Sequence, residues 1–327
     1  MPDLYQSDLP ARLKGNGTGP RVRLLPMLQQ AVPLLGVGRP SPNRDGDVEI
    51  LGTTRATHRF VDAPGDGRLV RWHLVEAGGG EPVVFLHGLP ESWYMWHRQI
   101  EDLARDHRVL SIDLRGFGQS DKTRGDYRPE GVAEQLVALF EVLGLDRINL
   151  VTHDRGSVVG DHLGAAHPFR VRRYVRGQQH LFHFNPKLAR QERIFADPLA
   201  SAVLRVPALL VGAAFAQGCH HPVLGKDLRR TVLEWSHPGV GPAVARYFQS
   251  SSLEQEWTDR RAGLMTSWRF PVLVLQGEHD GNQPREFYEG VEGTMADATV
   301  AFIDGGHHFV FENPRQTTRV IREFLEK

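Results

Sequence analysis

Residues 149–160 read NLVTHDRGSVVG. An apolar run of strand type ends at Asp154, and beyond Gly156 the pattern becomes helical. A strand that becomes a helix within two residues needs a tight turn, and small neighbours relieve its crowding. Gly156 is such a neighbour, two residues after Asp154, whereas Thr152, two before it, is larger. Ser157 does not fit the centre of this turn, because Arg155 and Val159 stand two residues to either side. An Asp at such a junction also serves as an ordinary N-cap, so the rest of the chain must decide between the two readings.

Working outward, buried-type strands recur at PVVFLHG (82–88), RVLSIDL (108–114), RRYVRG (172–177), PVLVLQG (271–277) and TVAFIDG (299–305). Helical patterns lie near 95–105, 130–143 and 157–166. This alternation predicts a mostly parallel central sheet flanked by helices, an α/β fold. Ahead of it, THRFVDA and RLVRWHLVEAG alternate as strands, with DAPGDG (62–67) as their turn. The alternation stops between 179 and 263, where DPLASAVLRV, DLRRTVLEW and GPAVARYF read as helices. That stretch is expected to be a helical cap inserted between a first core part (51–178) and a second (264–327). Residues 1–50 read as a proline-rich arm, with Pro at 2, 10, 20, 26, 33, 40 and 42 and a short helix at 23–31. The arm is free to close a pocket, support a homodimer or do neither.

Composition narrows the function. Of 327 residues, 39 are Lys or Arg and 39 Asp or Glu, so no net charge argues for nucleic acid or an anionic membrane as partner. Cys219 is the single cysteine, which excludes an intrachain disulfide framework. The apolar run 206–216 is far short of the roughly 20 residues of a bilayer span. No secretory signal is read at the N-terminus, and a cytoplasmic protein with a small-molecule substrate is expected. Gly116-x-Gly118 lacks the third glycine of a dinucleotide loop. Cys219-His220-His221 lacks a second ligand cluster in the sequence. Neither a cofactor nor a metal is therefore expected.

The loops that follow the strands carry a set of motifs. His87-Gly88-Leu89-Pro90 leads into ESWYMWHRQI; SIDLRGFGQSD spans 111–121; VLQGEHDGNQP (274–284) contains Asp280; and IDGGHHFVFENP (303–314) contains His307 and His308. Together with the turn at Asp154, this set resembles the α/β-hydrolase superfamily, in its epoxide hydrolase and haloalkane dehalogenase-like branch with an Asp nucleophile. The resemblance implies an α/β-hydrolase fold with Asp154 as nucleophile, Asp280 as triad acid and His307 as base, His308 being the alternative. It implies an oxyanion hole from the backbone N–H groups of Leu89 and Arg155. It places Tyr247 as a cap proton donor, with Phe248 as the alternative register. His87, Pro90 and Trp93, with His180, Phe182 and His183 at the start of the cap, are expected to face a largely apolar substrate.

The chemistry of the residues agrees with this. A carboxylate is already anionic at neutral pH and needs no base to attack. Its acyl product would be a reactive anhydride, so it suits attack on an sp³ carbon, giving an alkyl ester that a His-activated water can hydrolyse. Epoxide opening to a vicinal diol is the leading expectation. The first cap tyrosine that epoxide hydrolases carry is missing, because no Tyr lies between 175 and 246. His153-Asp154-Arg155-Gly156 is similar to fluoroacetate dehalogenases, whose second carboxylate-binding Arg is Val158 here. A hydrolytic dehalogenase, an ester hydrolase and a non-catalytic binder on the same scaffold remain the alternatives.

Overall fold

The computed structural model describes residues 31–179, 181, 183, 185–261, 263–293, 295 and 297–327. His180, Phe182 and nearly all of the helix expected at 23–31 lie outside the described residues. Among the described residues nine strands form one sheet: β1 (Val48–Leu51), β2 (Thr54–Gly65), β3 (Arg68–Gly78), β4 (Glu81–Leu86), β5 (His107–Ile112), β6 (Ile148–His153), β7 (Val171–Gly177), β8 (Val272–Gly277) and β9 (Ala298–Ile303). Their spatial order is β1-β2-β3-β5-β4-β6-β7-β8-β9. The run from β5 to β9 is parallel, and β1, β2 and β3 pair antiparallel at one side.

Side-chain alternation splits the core between the two faces of the sheet. Val84, Leu110, Leu150 and Val274 face one apolar cluster, with Leu136 and Phe140 of α2 (Pro129–Val142) and Val159 and Leu163 of α3 (Arg155–Ala166). Phe85, Val109, Val151 and Leu273 face the other, with Ile100 of α1 (His97–Leu103) and Ile321 and Phe324 of α9 (Pro314–Leu325). Every residue of β6 is buried, which explains why that strand shows no alternation of apolar and exposed polar positions.

Between β7 and β8 the described residues hold helices and no strand: α4 (Pro186–Ala196), α5 (Pro207–Gly218), α6 (Gly225–Trp235), α7 (Val240–Ser250) and α8 (Leu253–Arg261). The apolar run 206–216 forms most of α5, with Leu210, Val211 and Phe215 buried. Arg260 of α8 reaches down to Asp161 of α3 at 2.9 Å, and Arg176 pairs with the same carboxylate at 2.8 Å. The helical segment is thus anchored to α3 and β7 by a buried ion cluster.

Two expectations need correction. Residues 48–50 belong to β1 rather than to an arm; VEIL is too short to establish a period, and it is held as a strand by pairing Val48 with Thr57 and Leu51 with Thr54. The turn expected over 62–67 narrows to Asp66-Gly67, both with positive φ (52° and 72°), because β2 continues through Gly65. An Asp-Gly pair is suited to a two-residue hairpin. Ahead of β1, Ala31 and Leu34 are buried, and Ala31 lies so close to Gly212 of α5 that a Cβ there would come within 2.8 Å of it.

Candidate active site

In the sheet, β4 lies between β5 and β6, so the chain leaves β4 in one direction and returns on its other side. The loops at the carboxyl ends of β4 and β6 diverge at such a point and leave a crevice. Leu89 follows β4 and Asp154 follows β6. Asp154 has φ 48° and ψ −115°, a conformation that side-chain-bearing residues rarely adopt. It is held there by its N–H donating to the Gly177 carbonyl (3.1 Å) and its own carbonyl accepting from Ser157 N–H (2.9 Å). Gly156 is required, because a Cβ would sit 2.6 Å from the Leu86 carbonyl oxygen and 2.7 Å from that of His87. Thr152 is tolerated because Gly160, one turn into α3, leaves room for it; a Cβ there would lie 3.0 Å from the Thr152 methyl.

Asp154, Asp280 and His307 are brought to one place. His307 Nδ1 lies 3.2 Å from Asp280 Oδ2, and His307 Nε2 lies 3.7 Å from Asp154 Oδ2. The other Asp154 oxygen, Oδ1, accepts the Leu89 N–H at 3.0 Å. Asp280 is oriented by Asn282 N–H on Oδ1 (2.7 Å) and by Gln178 Nε2 on Oδ2. His308 goes elsewhere: its Nδ1 is 2.8 Å from the buried Glu91 carboxylate and its ring stacks on Phe215.

The charges are interdependent. Burial works to raise the Asp154 pKa, but cationic His307 and Arg155, then His153 and the Leu89 N–H, hold it below the usual carboxylate range. Burial works to lower that of His307, yet the Asp280 carboxylate, with Asp154 adding to it, holds it up at about 9. In the resting site a carboxylate therefore faces an imidazolium.

These groups open into a cavity of about 310 Å³ lined by Leu89, Pro90, Asp154, Arg155, Glu192 and His307, with apolar side chains of α4 and α5. The Arg155 side chain is buried and paired twice. Its Nη1 is 2.6 Å from Glu256 and its Nη2 2.8 Å from Glu192. The Glu192 contact lacks in-line hydrogen-bond geometry, which leaves that oxygen capacity for another partner. Burial chiefly, with Glu256 and Asp154 adding and Arg155 opposing, pushes Glu192 up to about 7. The Arg155 guanidinium also lies over Phe248 and Tyr247, 4.9 and 5.3 Å from their ring centres. Tyr247 Oη is buried and has no hydrogen-bond partner among the described residues, and neither Tyr247, expected as the cap proton donor, nor Phe248 is among the residues that line the cavity.

Three residues expected to face substrate do not line this cavity. His87 is fully buried under its own loop, with Nε2 accepting Leu114 N–H (3.0 Å) and Nδ1 donating to the Gly88 carbonyl (2.8 Å). Trp93 is fully buried with its ring edge-on to His58, and its backbone N–H donates to Asp113 (2.9 Å). His183 stacks on Phe287 and donates to its carbonyl at 3.0 Å. Both His87 and Trp93 hold the loop from below, so proximity in the motif did not mean proximity to the cavity. Glu192 and Glu256 were not anticipated. The available signal was a buried Arg at the turn, which demands a carboxylate partner, but nothing in the sequence selects among 39 acidic residues.

One further carboxylate organises the loops. Glu312 accepts the backbone N–H groups of His220 and His221 on Oε2 (both 2.6 Å) and of Gly306 on Oε1 (2.9 Å). The next N–H, that of His307, donates to the Gly218 carbonyl at the end of α5 (2.6 Å).

A family profile described as alpha/beta hydrolase fold matches residues 81–314. The pig (Sus scrofa) bifunctional epoxide hydrolase 2 is 35% identical over 79% of this chain, and the match spans 53% of the pig protein, about half its length. Caenorhabditis elegans epoxide hydrolase 2 is 34% identical over 81% of this chain and 79% of its own. A Burkholderia fluoroacetate dehalogenase is 28% identical over 82% of this chain and 93% of its own. Among solved structures, a Thermogutta terrifontis esterase superposes with a TM-score of 0.69 at 26% identity, over 82% of this chain and 98% of its own. With this sheet order and these loops, the chain belongs to the α/β hydrolase fold family, in the branch that holds epoxide hydrolases and haloalkane and fluoroacetate dehalogenases.

Proposed function

We propose that this hydrolase opens an epoxide to a vicinal diol through an ester on Asp154. The observation that carries the reading is the Asp154 carboxylate itself, fixed at the turn with one oxygen on Leu89 N–H (3.0 Å) and the other facing His307 (3.7 Å). An Asp154 oxygen attacks an epoxide carbon, the carbon–oxygen bond breaks, and the freed alkoxide takes a proton from the cap. Glu192, a cavity-lining carboxyl close to half protonated near neutrality, is placed to supply it; Tyr247, a buried hydroxyl with an unused donor behind the Arg155 guanidinium, is the second candidate. Water then adds to the ester carbonyl while His307 takes its proton and Asp280 steadies the imidazolium. The N–H groups of Leu89 and Arg155 receive the oxyanion. Collapse expels the diol oxygen, which takes the proton from His307, and the proton left on the Asp154 carboxyl returns to the cap donor, so that both carboxylate and donor are restored.

The apolar share of the cavity lining, including Leu89, Pro90, Leu188, Phe195 and Leu210, supports a largely apolar substrate. The hydrogen bond of Arg155 to buried Glu256, with Glu192 lying 2.8 Å from its other end, weighs against a halo-acid, since protein carboxyl groups already occupy both ends of the guanidinium.

Single turnover in ¹⁸O-labelled water tests the ester. The first product should carry unlabelled oxygen from Asp154, and the label should appear in the Asp154 carboxylate. Label entering the first product directly means that water attacks the substrate and that no ester forms. The reaction class is tested by Tyr247→Phe. Positioned general acids contribute about 10²–10⁴-fold, and the lower part of that range is expected for ester formation from an epoxide, because Glu192 remains. Ester formation from a haloalkane, whose leaving group takes no proton, should change less. An unchanged epoxide rate would make Tyr247 a packing residue.

A further inference from the structure

The His220-His221 pair has no second ligand cluster beside it in sequence, but the fold supplies one. His279 follows β8 and Asp304 follows β9, and both reach the surface beside the loop that follows α5. The ligand atoms of His220, His279 and Asp304 all lie within 4.8 Å of one another. His221 Nε2 is 2.8 Å and His279 Nε2 is 3.2 Å from the same Asp304 oxygen, and the rings of His220 and His279 stack at 3.9 Å. Three imidazoles thus gather round one carboxylate.

The backbone beneath them is fixed before any ion arrives. Glu312 holds the N–H groups of His220 and His221 and ties them to Gly306, and His279 N–H donates to the Gly305 carbonyl at 2.9 Å. Gly306 has no room for a side chain, since a Cβ would sit 2.2 Å from the Gly218 carbonyl oxygen. Only the outward side chains retain freedom, and they carry the ligand atoms. A tetrahedral ion with bonds of about 2.0–2.2 Å sets its ligands roughly 3.4 Å apart. Exposed side chains can close from the observed spacing to that one by rotation alone.

We propose that His220, His221, His279 and Asp304 bind one divalent transition-metal ion, which joins the end of α5 to the loops that carry Asp280 and His307. Three imidazole nitrogens and one carboxylate suit zinc, nickel or copper, whereas magnesium and calcium prefer all-oxygen sets. The ion takes no part in the reaction derived above.

The test is equilibrium dialysis of the full chain against Zn²⁺, with hydrogen exchange read at residues 218–221. The wild type should take up one zinc ion saturably, and exchange in that loop should slow. Asp304→Asn, which keeps shape and surface exposure, should weaken uptake by roughly tenfold or more. The double variant His220→Ala/His279→Ala should abolish it. His167→Ala, remote from the cluster on the loop that follows α3, should bind as the wild type does. Uptake that survives the double variant, or zinc that slows exchange equally in Asp304→Asn, overturns the proposal. So does a wild type without saturable uptake. None of these readouts uses turnover, so they stand apart from the epoxide reading.

Discussion

His307→Gln should alkylate itself once and stop. Attack by Asp154 needs no base, because its carboxylate is held ionised, whereas water cannot add to the ester without one. Intact-protein mass spectrometry after addition of an epoxide should show one equivalent of adduct on the variant and a peptide map should place it on Asp154. Turnover should fall by about 10⁴–10⁶-fold, as it does when a member of a catalytic triad is removed elsewhere. Asp154→Ala should lose turnover to a similar extent, form no adduct and keep the wild-type circular dichroism. Full turnover in His307→Gln, with loss in His308→Gln, would move the base to the neighbouring residue. The pH dependence follows with its sign. The resting imidazolium has a pKa of about 9, raised in part by the Asp154 charge. Ester formation removes that charge, so the pKa falls just when the neutral base is needed. Ester hydrolysis should therefore rise with pH through an apparent pKa below about 9, and wild-type enzyme should accumulate adduct as the pH is lowered.

Glu192→Gln is expected to have the second-largest effect. Asp154, Glu192 and Glu256 share a single guanidinium, and burial first, with the other two carboxylates adding, pushes Glu192 up to about 7. Gln keeps the shape and can donate a hydrogen bond to an alkoxide, but it cannot release a proton. Ester formation from an epoxide should slow by about 10²–10³-fold, and the pH profile of that step should lose its inflection near 7. Glu192→Asp, with a proton but a shorter reach, should recover part of the rate. An unchanged profile in Glu192→Gln would leave proton delivery to Tyr247. The infrared band of a protonated carboxyl, present in the wild type at neutral pH and absent in the variant, checks the proton without any substrate.

The elbow at Asp154 was legible because its constraint is local: only a small residue fits two positions on, where Gly156 meets the carbonyls of Leu86 and His87. β6 and β8 were legible because burial on both faces leaves them no solvent-facing position, so apolar residues predominate without alternation. β1 escaped because four residues carry no period and its evidence is the pairing with β2. Glu192 and Glu256 escaped for a related reason. They stand 38 and 102 positions beyond Asp154 on separate helices, and only the path of the helical segment brings them to Arg155. His87 and Trp93 were misread because a motif fixes the order of side chains along a loop and not the side on which each emerges.

Glu312 and the Gly218 carbonyl bear on how exchangeable the parts of this molecule are. The helical segment enters and leaves the chain between β7 and β8, which suggests a cassette. Yet its far corner is stitched to the loop of the base: two of the N–H groups on Glu312 belong to the segment, and the His307 N–H has its acceptor there. Transplanting a foreign cassette would take from Glu312 two of its three N–H partners and from the His307 amide its acceptor, the latter at about 1–3 kcal/mol if left unpaired. The base would then lose its alignment before any difference in substrate preference could be read. A workable chimera must carry Gly218–His221 across with the recipient's own residues, so the functional unit of exchange ends at α5 and not at the domain boundary.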